Sequence, residues 1–237
     1  MTLSFSLVIP CYNEAANLPH LLARCSAVTA ANPNVEIVLV DNGSTDASPD
    51  ILRQLLPDHP GCRSVRVEKN KGYGFGIVSG LRAAKGDYLG WTHADLQTDP
   101  GDVLEGLKLF ERSPAPGKLF VKGRRHGRPM GDVVFTVGMS VFETGLLGRP
   151  LWDINAQPTM FPRAFFERWA LPPDDFALDL YAYYNARRDG MAVERFPVLF
   201  GKRLHGQSHW NVNWAAKWKF IRRTVDFSMR LRGGAYR

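Results

Sequence analysis

Gly86-Asp87-Tyr88-Leu89-Gly90-Trp91-Thr92-His93-Ala94-Asp95-Leu96-Gln97-Thr98-Asp99-Pro100 reads as an apolar strand that stops abruptly in metal-capable side chains, with a helix start directly behind it. Residues two apart leave a strand end on the same side, so His93, Asp95 and Gln97 can face one pocket and offer nitrogen and oxygen ligands to a divalent cation. Such a cation holds a diphosphate and neutralises its charge on departure. The plainer reading of the same run is a surface turn, with Asp99 capping a helix and Pro100 at its first position.

Working outward, strand and helix patterns alternate. Ser4 to Ile9 reads as a buried strand, followed by a helix with Leu18, Leu21, Leu22, Cys25 and Val28 on one face. Glu36 to Val40 is a second strand that runs into the turn residues Asp41 to Asp46, after which Ser48 caps a helix with Pro49 at its first position and Ile51, Leu52, Leu55 and Leu56 inward. Ser64 to Val67, a helix from Phe75 to Ala84, the strand Tyr88 to Thr92 and a helix from Asp102 to Arg112 continue the series. Such alternation with short links predicts an α/β fold, a doubly wound and mainly parallel sheet. Ligands of these folds bind outside the carboxyl ends of the strands. The loops Pro10 to Glu14, Asp41 to Asp46 and His93 to Gln97 all sit at such ends.

Beyond Pro116 the pattern loosens. Leu119 to Val121 is expected as a strand leading into a basic, glycine-bearing loop from Lys122 to Arg128. Val133 to Leu147 reads as helix, Asp153 to Gln157 as a polar turn, Asp175 to Arg188 as helix, and Val193 to Val198 as a strand before a second basic loop, Gly201 to Ser208. The final segment is amphipathic. Trp214, Trp218, Ile221, Val225 and Met229 share one helical face, with Lys219, Arg222, Arg223 and Arg230 largely off it. That composition suits a helix lying in a membrane interface, or equally a terminal helix packed on its own domain.

The 237 residues suit one domain, expected over residues 1–210, with the basic helix 211–237 appended. Three cysteines, Cys11, Cys25 and Cys62, have no metal-ligand spacing and fit a reducing compartment. With no leader pattern and no stretch near the ~20 apolar residues of a membrane span, the expected location is cytoplasmic, peripheral on the cytosolic membrane face. The net charge is +7, and from Gly201 onward nine Lys or Arg stand against the single acid Asp226. A localised basic end implies an anionic partner, and because no base-reading motif accompanies the charge, nucleic acid is disfavoured.

Val8-Ile9-Pro10-Cys11-Tyr12-Asn13-Glu14, Val40-Asp41-Asn42-Gly43-Ser44-Thr45-Asp46, Asn70-Lys71-Gly72-Tyr73-Gly74 and Ala94-Asp95-Leu96-Gln97 together resemble the ordered motifs of glycosyltransferase family 2. Within it, the resemblance is to dolichol- or polyprenol-phosphate mannosyltransferases and related polyprenol-phosphate sugar transferases, and it runs from Phe5 to Ser208. It implies a GT-A fold with a Rossmann-like nucleotide-binding half, a GDP- or UDP-sugar donor, inverting transfer, and Mg²⁺ or Mn²⁺. It also implies that Pro10, Tyr12, Glu14, Asp41, Asn70, Gly72 and His93 line the nucleotide site and that Asp95 and Gln97 hold the metal. Arg125 would face the acceptor phosphate, and Arg203, in an R-x-x-G-x-S element ending at Ser208, would contact phosphates. The family pattern reads Asp-Ala-Asp where this chain has His93-Ala94-Asp95, which exchanges a carboxylate for an imidazole.

Protonation argues the acceptor. An alcohol needs a general base, for which Asp179 is the candidate, whereas a phosphate monoester with its second pKa near ~6 is already ionised and needs cations. Arg124, Arg125, Arg128, Lys202 and Arg203 supply cations, and an arginine fork suits phosphate. The expected activity is therefore sugar transfer to a polyprenyl phosphate. The alternatives are transfer to a glycan or lipopolysaccharide hydroxyl, or a non-catalytic nucleotide-sugar-binding module.

Overall fold

The computed structural model describes residues 3–201, 203 and 214–234, the last helix with its side chains from Ile221 onward. Strands β1 (Phe5–Cys11), β2 (Val35–Asn42), β3 (Cys62–Val67) and β4 (Tyr88–Trp91) alternate with helices α1 (Leu18–Ala31), α2 (Ser48–Leu55), α3 (Tyr73–Ala83) and α4 (Asp102–Arg112). Then follow β5 (Leu119–His126), α5 (Met130–Leu147), β6 (Thr159–Pro162), α6 (Arg163–Phe166), α7 (Ala177–Arg188), β7 (Ala192–Leu199) and α8 (Trp214–Arg232). The seven strands form one sheet in the order β3-β2-β1-β4-β6-β5-β7. Only β6 runs antiparallel to its neighbours, β4 and β5.

Alternation along the strands builds two core layers. Leu7, Ile9, Ile37 and Leu39 pack with Leu18, Leu21 and Leu22 of α1 and Leu107 and Phe110 of α4. Val8, Val38 and Val40 face the other way, with Ile77 and Leu81 of α3 and Tyr181 and Tyr183 of α7. Each such side chain removed from water contributes roughly 1.5–3 kcal/mol. The α1 face expected from the spacing, Leu18, Leu21, Leu22, Cys25 and Val28, is the buried face.

Five readings of the sequence are corrected. The basic stretch after Val121 is not a loop from its start: Lys122 to His126 continue β5, hydrogen-bonded beside β7. Strand β6 was not expected at all. Ser48 is helical, with Ala47 at the cap position of α2, and its hydroxyl accepts from the Glu14 N–H at 2.9 Å. Asp99 stands two residues before the α4 cap, Gly101, and its Oδ1 accepts from the Gly101 N–H at 2.8 Å. A membrane-length apolar stretch does exist by length and composition: α5, 18 residues long and mostly unburied. Helix α8 packs on α5 and α7. It does so through Phe227 and Leu231, off the stripe of Ile221, Val225 and Met229; Met229 stays exposed.

Candidate active site

The first two loops are stitched together at the ends of β1 and β2. Asn13, in the left-handed region at φ 56°, donates its N–H to Ser44 Oγ (3.1 Å) and accepts the Thr45 N–H on Oδ1 (2.9 Å). Asp41 is buried, its carboxylate accepting from the Ser44 N–H at 3.0 Å and from Arg66 Nη1 at 2.8 Å. Pro10 closes the floor half-buried, and Tyr12 presents an exposed ring. Asn70 Oδ1 accepts the Gly72 N–H (2.8 Å), and Asn42 Nδ2 donates to the Gly72 carbonyl (2.9 Å). Gly72 sits at φ +127°, and a Cβ there would run into the Asp174 carbonyl, so both conformation and space demand glycine.

At the end of β4 the three side chains expected to share a pocket divide. Leu96 takes φ 56°, which breaks the strand alternation. Asp95 and Gln97 converge: Arg203 Nη2 lies 3.0 Å from Asp95 Oδ2, and Arg203 Nε donates to Gln97 Oε1 at 3.1 Å. Glu14 is within electrostatic range of both Asp95 and Arg203, and burial raises its carboxyl pKa. His93 turns elsewhere. Its ring stacks on Tyr73 with centroids 5.4 Å apart, and it lies within electrostatic range of Asp179. Among the described residues no three His, Cys, Asp or Glu come together. The donor set nonetheless fits a hard cation, because two oxygen ligands that already converge on a guanidinium suit Mg²⁺ or Mn²⁺, which take one or two protein oxygens plus substrate phosphate and water.

Behind His93 lies a buried polar network. Asp179 Oδ1 accepts from Gln157 Nε2 at 2.6 Å, and that same amide reaches the Tyr73 hydroxyl at 3.4 Å. Burial pushes the Asp179 carboxyl above the usual carboxylate range, against the pull of Lys122, His93 and the Gln157 amide. Lys122 is wholly buried, donates to Thr159 Oγ1 at 2.7 Å, and is driven by burial down to about 7. At the C-terminal end of β5, Arg124 points to solvent while Arg125 pairs with Asp153, donating from Nε to Oδ1 at 3.0 Å and also from Nη2. Arg128 Nη2 stands 3.7 Å from the same oxygen. Arg125 borders a small hollow of about 50 Å³, walled by Phe135, Thr136, Met139 and Ser140 of α5, by Ile154 and Asn155, and by Phe176 and Leu180 at the start of α7. A cation thus lines a hollow whose wall is mixed and mainly apolar.

A family model, glycosyl transferase family 2, matches residues 6–146. The chain belongs to that family. The undecaprenyl-phosphate 4-deoxy-4-formamido-L-arabinose transferase of Pseudomonas paraeruginosa is 42% identical over 111 residues, covering 46% of this chain and 32% of that protein. The enzyme of the same description from Edwardsiella ictaluri is 43% identical over 101 residues, covering 41% and 31%. The chain therefore spans about a third of the length of the curated relatives it matches. Two solved structures share the fold. Mannosyltransferase PcManGT from Pyrobaculum calidifontis, in complex with GDP-Man and Mn²⁺, has a TM-score of 0.66 at 20% identity, over 94% of this chain and 61% of that one. Glucosyl-3-phosphoglycerate synthase from Mycobacterium tuberculosis, in complex with UDP, has a TM-score of 0.73 at 19% identity, over 98% and 80%. The architecture is GT-A.

In this family 2 chain the structure gathers the motif residues at the carboxyl ends of β1 and β4. Glu14, Asp95, Gln97 and Arg203 form one group, and His93, Tyr73 and Asp179 the adjoining one. Ser208 and Lys202 lie outside the described residues. Reading the sequence missed Arg66, Tyr73, Lys122, Asp153, Gln157 and Arg195. Arg66 and Arg195 are cations in strands, where charge normally signals the solvent face, and Lys122 read as the first residue of a basic loop. Gln157 sits in what reads as a turn. The signal available for Tyr73 was its place directly after the Gly72 motif.

Proposed function

We propose that the chain is the catalytic domain of an inverting, metal-dependent glycosyltransferase that moves a sugar from a GDP- or UDP-sugar to a polyprenyl phosphate at the cytosolic membrane face. The observation that carries this reading is the arginine in the wall of that mainly apolar hollow, since a phosphate head on a hydrocarbon tail needs that pairing. The relatives, undecaprenyl-phosphate sugar transferases, point the same way. Pro10, Tyr12, Glu14, Asp41, Asn70 and Gly72 hold the nucleotide. Asp95 and Gln97 would hold Mg²⁺ or Mn²⁺, which when bound stabilises the negative charge of the departing diphosphate. Arg203, released from those ligands, turns its planar fork to the diphosphate. Arg124, Arg125 and Arg128 orient the acceptor oxygen toward the anomeric carbon, and an already ionised phosphate needs no base there. The exposed apolar side of α5 and the exposed Arg222, Arg223, Arg230 and Arg232 of α8 support a membrane surface as the place of encounter.

Asp179 favours a second reading, transfer to a hydroxyl, because a buried carboxyl with a raised pKa suits a general base. One assay separates the two. Farnesyl phosphate and an alcohol acceptor are offered with a panel of nucleotide sugars and Mn²⁺, to the wild type and to Asp179→Asn. Transfer to farnesyl phosphate that survives the substitution is the expected result. Transfer to the alcohol alone, abolished by Asp179→Asn, sinks the phosphate-acceptor reading, and no turnover of any donor sinks both.

A further inference from the structure

The arginine-rich end of β5 carries more positive charge than the protein around it neutralises. Arg125, Arg128 and Arg195 all meet on Asp153. Arg125 and Arg128 face its carboxylate, and Arg195 Nη2 donates to its backbone carbonyl at 3.1 Å. Arg124 adds its field to Arg195. Against these stand Asp153 itself and, beside Arg128, Asp132. Lys122 and Asp179 form the layer behind and largely answer one another. Three guanidinium groups, with the solvent-facing Arg124 near them, thus stand against two carboxylates, an excess equal to the charge of a phosphate monoester dianion.

The hydrogen bonds show the same surplus. The Arg128 side chain is 7% exposed, yet its Nε has no partner among the described residues. The same holds for Nε and Nη1 of Arg195. Buried guanidinium N–H groups left unpaired are costly, and what relieves them is a ligand rich in acceptor oxygens. Asp153 is built to stay in place rather than leave: its N–H donates to Ser140 Oγ at 3.0 Å, and its backbone holds φ 45°.

We propose that Arg195 is a further phosphate-binding residue of the acceptor site, and that Asp153 is a fixed internal counter-ion that holds Arg125, Arg128 and Arg195 around the place where a phosphate monoester dianion binds. This rests on the phosphate-acceptor reading above and extends it to a strand that reading does not use. Asp153 supplies one negative charge and leaves the excess that selects a dianion over a monoanion.

The test is calorimetric titration of the whole chain with farnesyl phosphate and with its methyl diester, a monoanion. Donor-nucleotide binding and the melting curve serve as checks on folding. Arg195→Met is expected to weaken farnesyl phosphate about tenfold or more, the range of a charge-assisted hydrogen bond. Arg195→Lys recovers part of the loss, because a point charge replaces a fork. Asp153→Asn narrows the preference for monoester over diester. If Arg195→Met binds farnesyl phosphate as the wild type does while Arg125→Met does not, the proposal is overturned and the acceptor reading stands. If the wild type binds no farnesyl phosphate yet transfers sugar to an alcohol, the acceptor reading falls and takes this proposal with it.

Discussion

Arg203 occupies, with two nitrogens, the two oxygens that would hold a metal ion. A metal ion taken up by those oxygens would compete with this guanidinium. Removing it should move two measurements in opposite directions. Arg203→Met raises Mn²⁺ affinity about threefold to tenfold, in keeping with roughly 1 kcal/mol for a partly exposed ion pair, while sugar transfer falls because the guanidinium no longer reaches the diphosphate. Manganese paramagnetic resonance and a transfer assay read the two effects, and unchanged Mn²⁺ affinity defeats the idea. Gly72 offers a steric counterpart. Gly72→Ala meets both a positive φ and the Asp174 carbonyl, so a loss of about 1–3 kcal/mol is expected. That corresponds to a melting point lower by very roughly 2–12 °C, with weakened nucleotide binding in a titration. The motif glycine and Asp95 were legible because their chemistry needs that residue type in that order. Arg195 was not, because a strand cation reads as solvent-facing until the sheet neighbours are known, and Lys122 read as part of a basic loop rather than as a buried strand residue.

Helices α5 and α8 meet over a buried ionisable side chain that only the Ser228 hydroxyl, set against the effect of burial, helps to hold its charge. Glu143 is fully buried, neither carboxylate oxygen has a partner among the described residues, and the nearby Ser228 hydroxyl already donates to the Thr224 carbonyl at 2.8 Å. Burial raises its pKa from 4.5 to about 7. The folded state then keeps a proton that the unfolded chain has released, so this group's contribution is intact below pH 4.5 and is lost as pH rises through about 7. Glu143→Gln should melt higher than the wild type at pH 8, by the few degrees that about 1–3 kcal/mol provides. The gap should close toward pH 4.5. A pH-independent difference between the two melting curves counts against a titrating Glu143. At this scale the long, periodic elements were readable, and α4 was read to the residue. Strand β6 was not, since its four residues Thr159 to Pro162 are too short for periodicity and stand between prolines. The pairing of β5 with β7, which turns a basic loop into a strand, is non-local and leaves no mark on either segment.

Across the molecule, one side of α5 is left without a covering element among the described residues. Met130, Val134, Val141 and Phe142 are 77%, 64%, 64% and 43% exposed, and no described heavy atom lies within 4 Å of a Cβ built at Gly131, Gly138 or Gly145. An uncharged stripe on that scale is rare on a monomer, and the exposed arginines of α8 lie on the helix packed beside it. Anionic vesicles should therefore bind the chain through both helices. The double substitution Val134→Glu with Val141→Glu is expected to cut co-flotation at least tenfold and leave donor-nucleotide binding intact. Undiminished flotation removes α5 from the membrane contact. The sheet itself has a seam. On the proposed reading, strands β1 to β4 carry the nucleotide loops and β5 with β7 the acceptor arginines, and the four residues of β6 join the two sets. At that seam Gly123 presses so closely on the Gln157 carbonyl that a side chain there would force the strands apart. A chimaera that imports another acceptor specificity must therefore be cut on the β4 side of β6, so that β5, the Gln157 segment, β6 and β7 travel as one cassette into an unaltered nucleotide half.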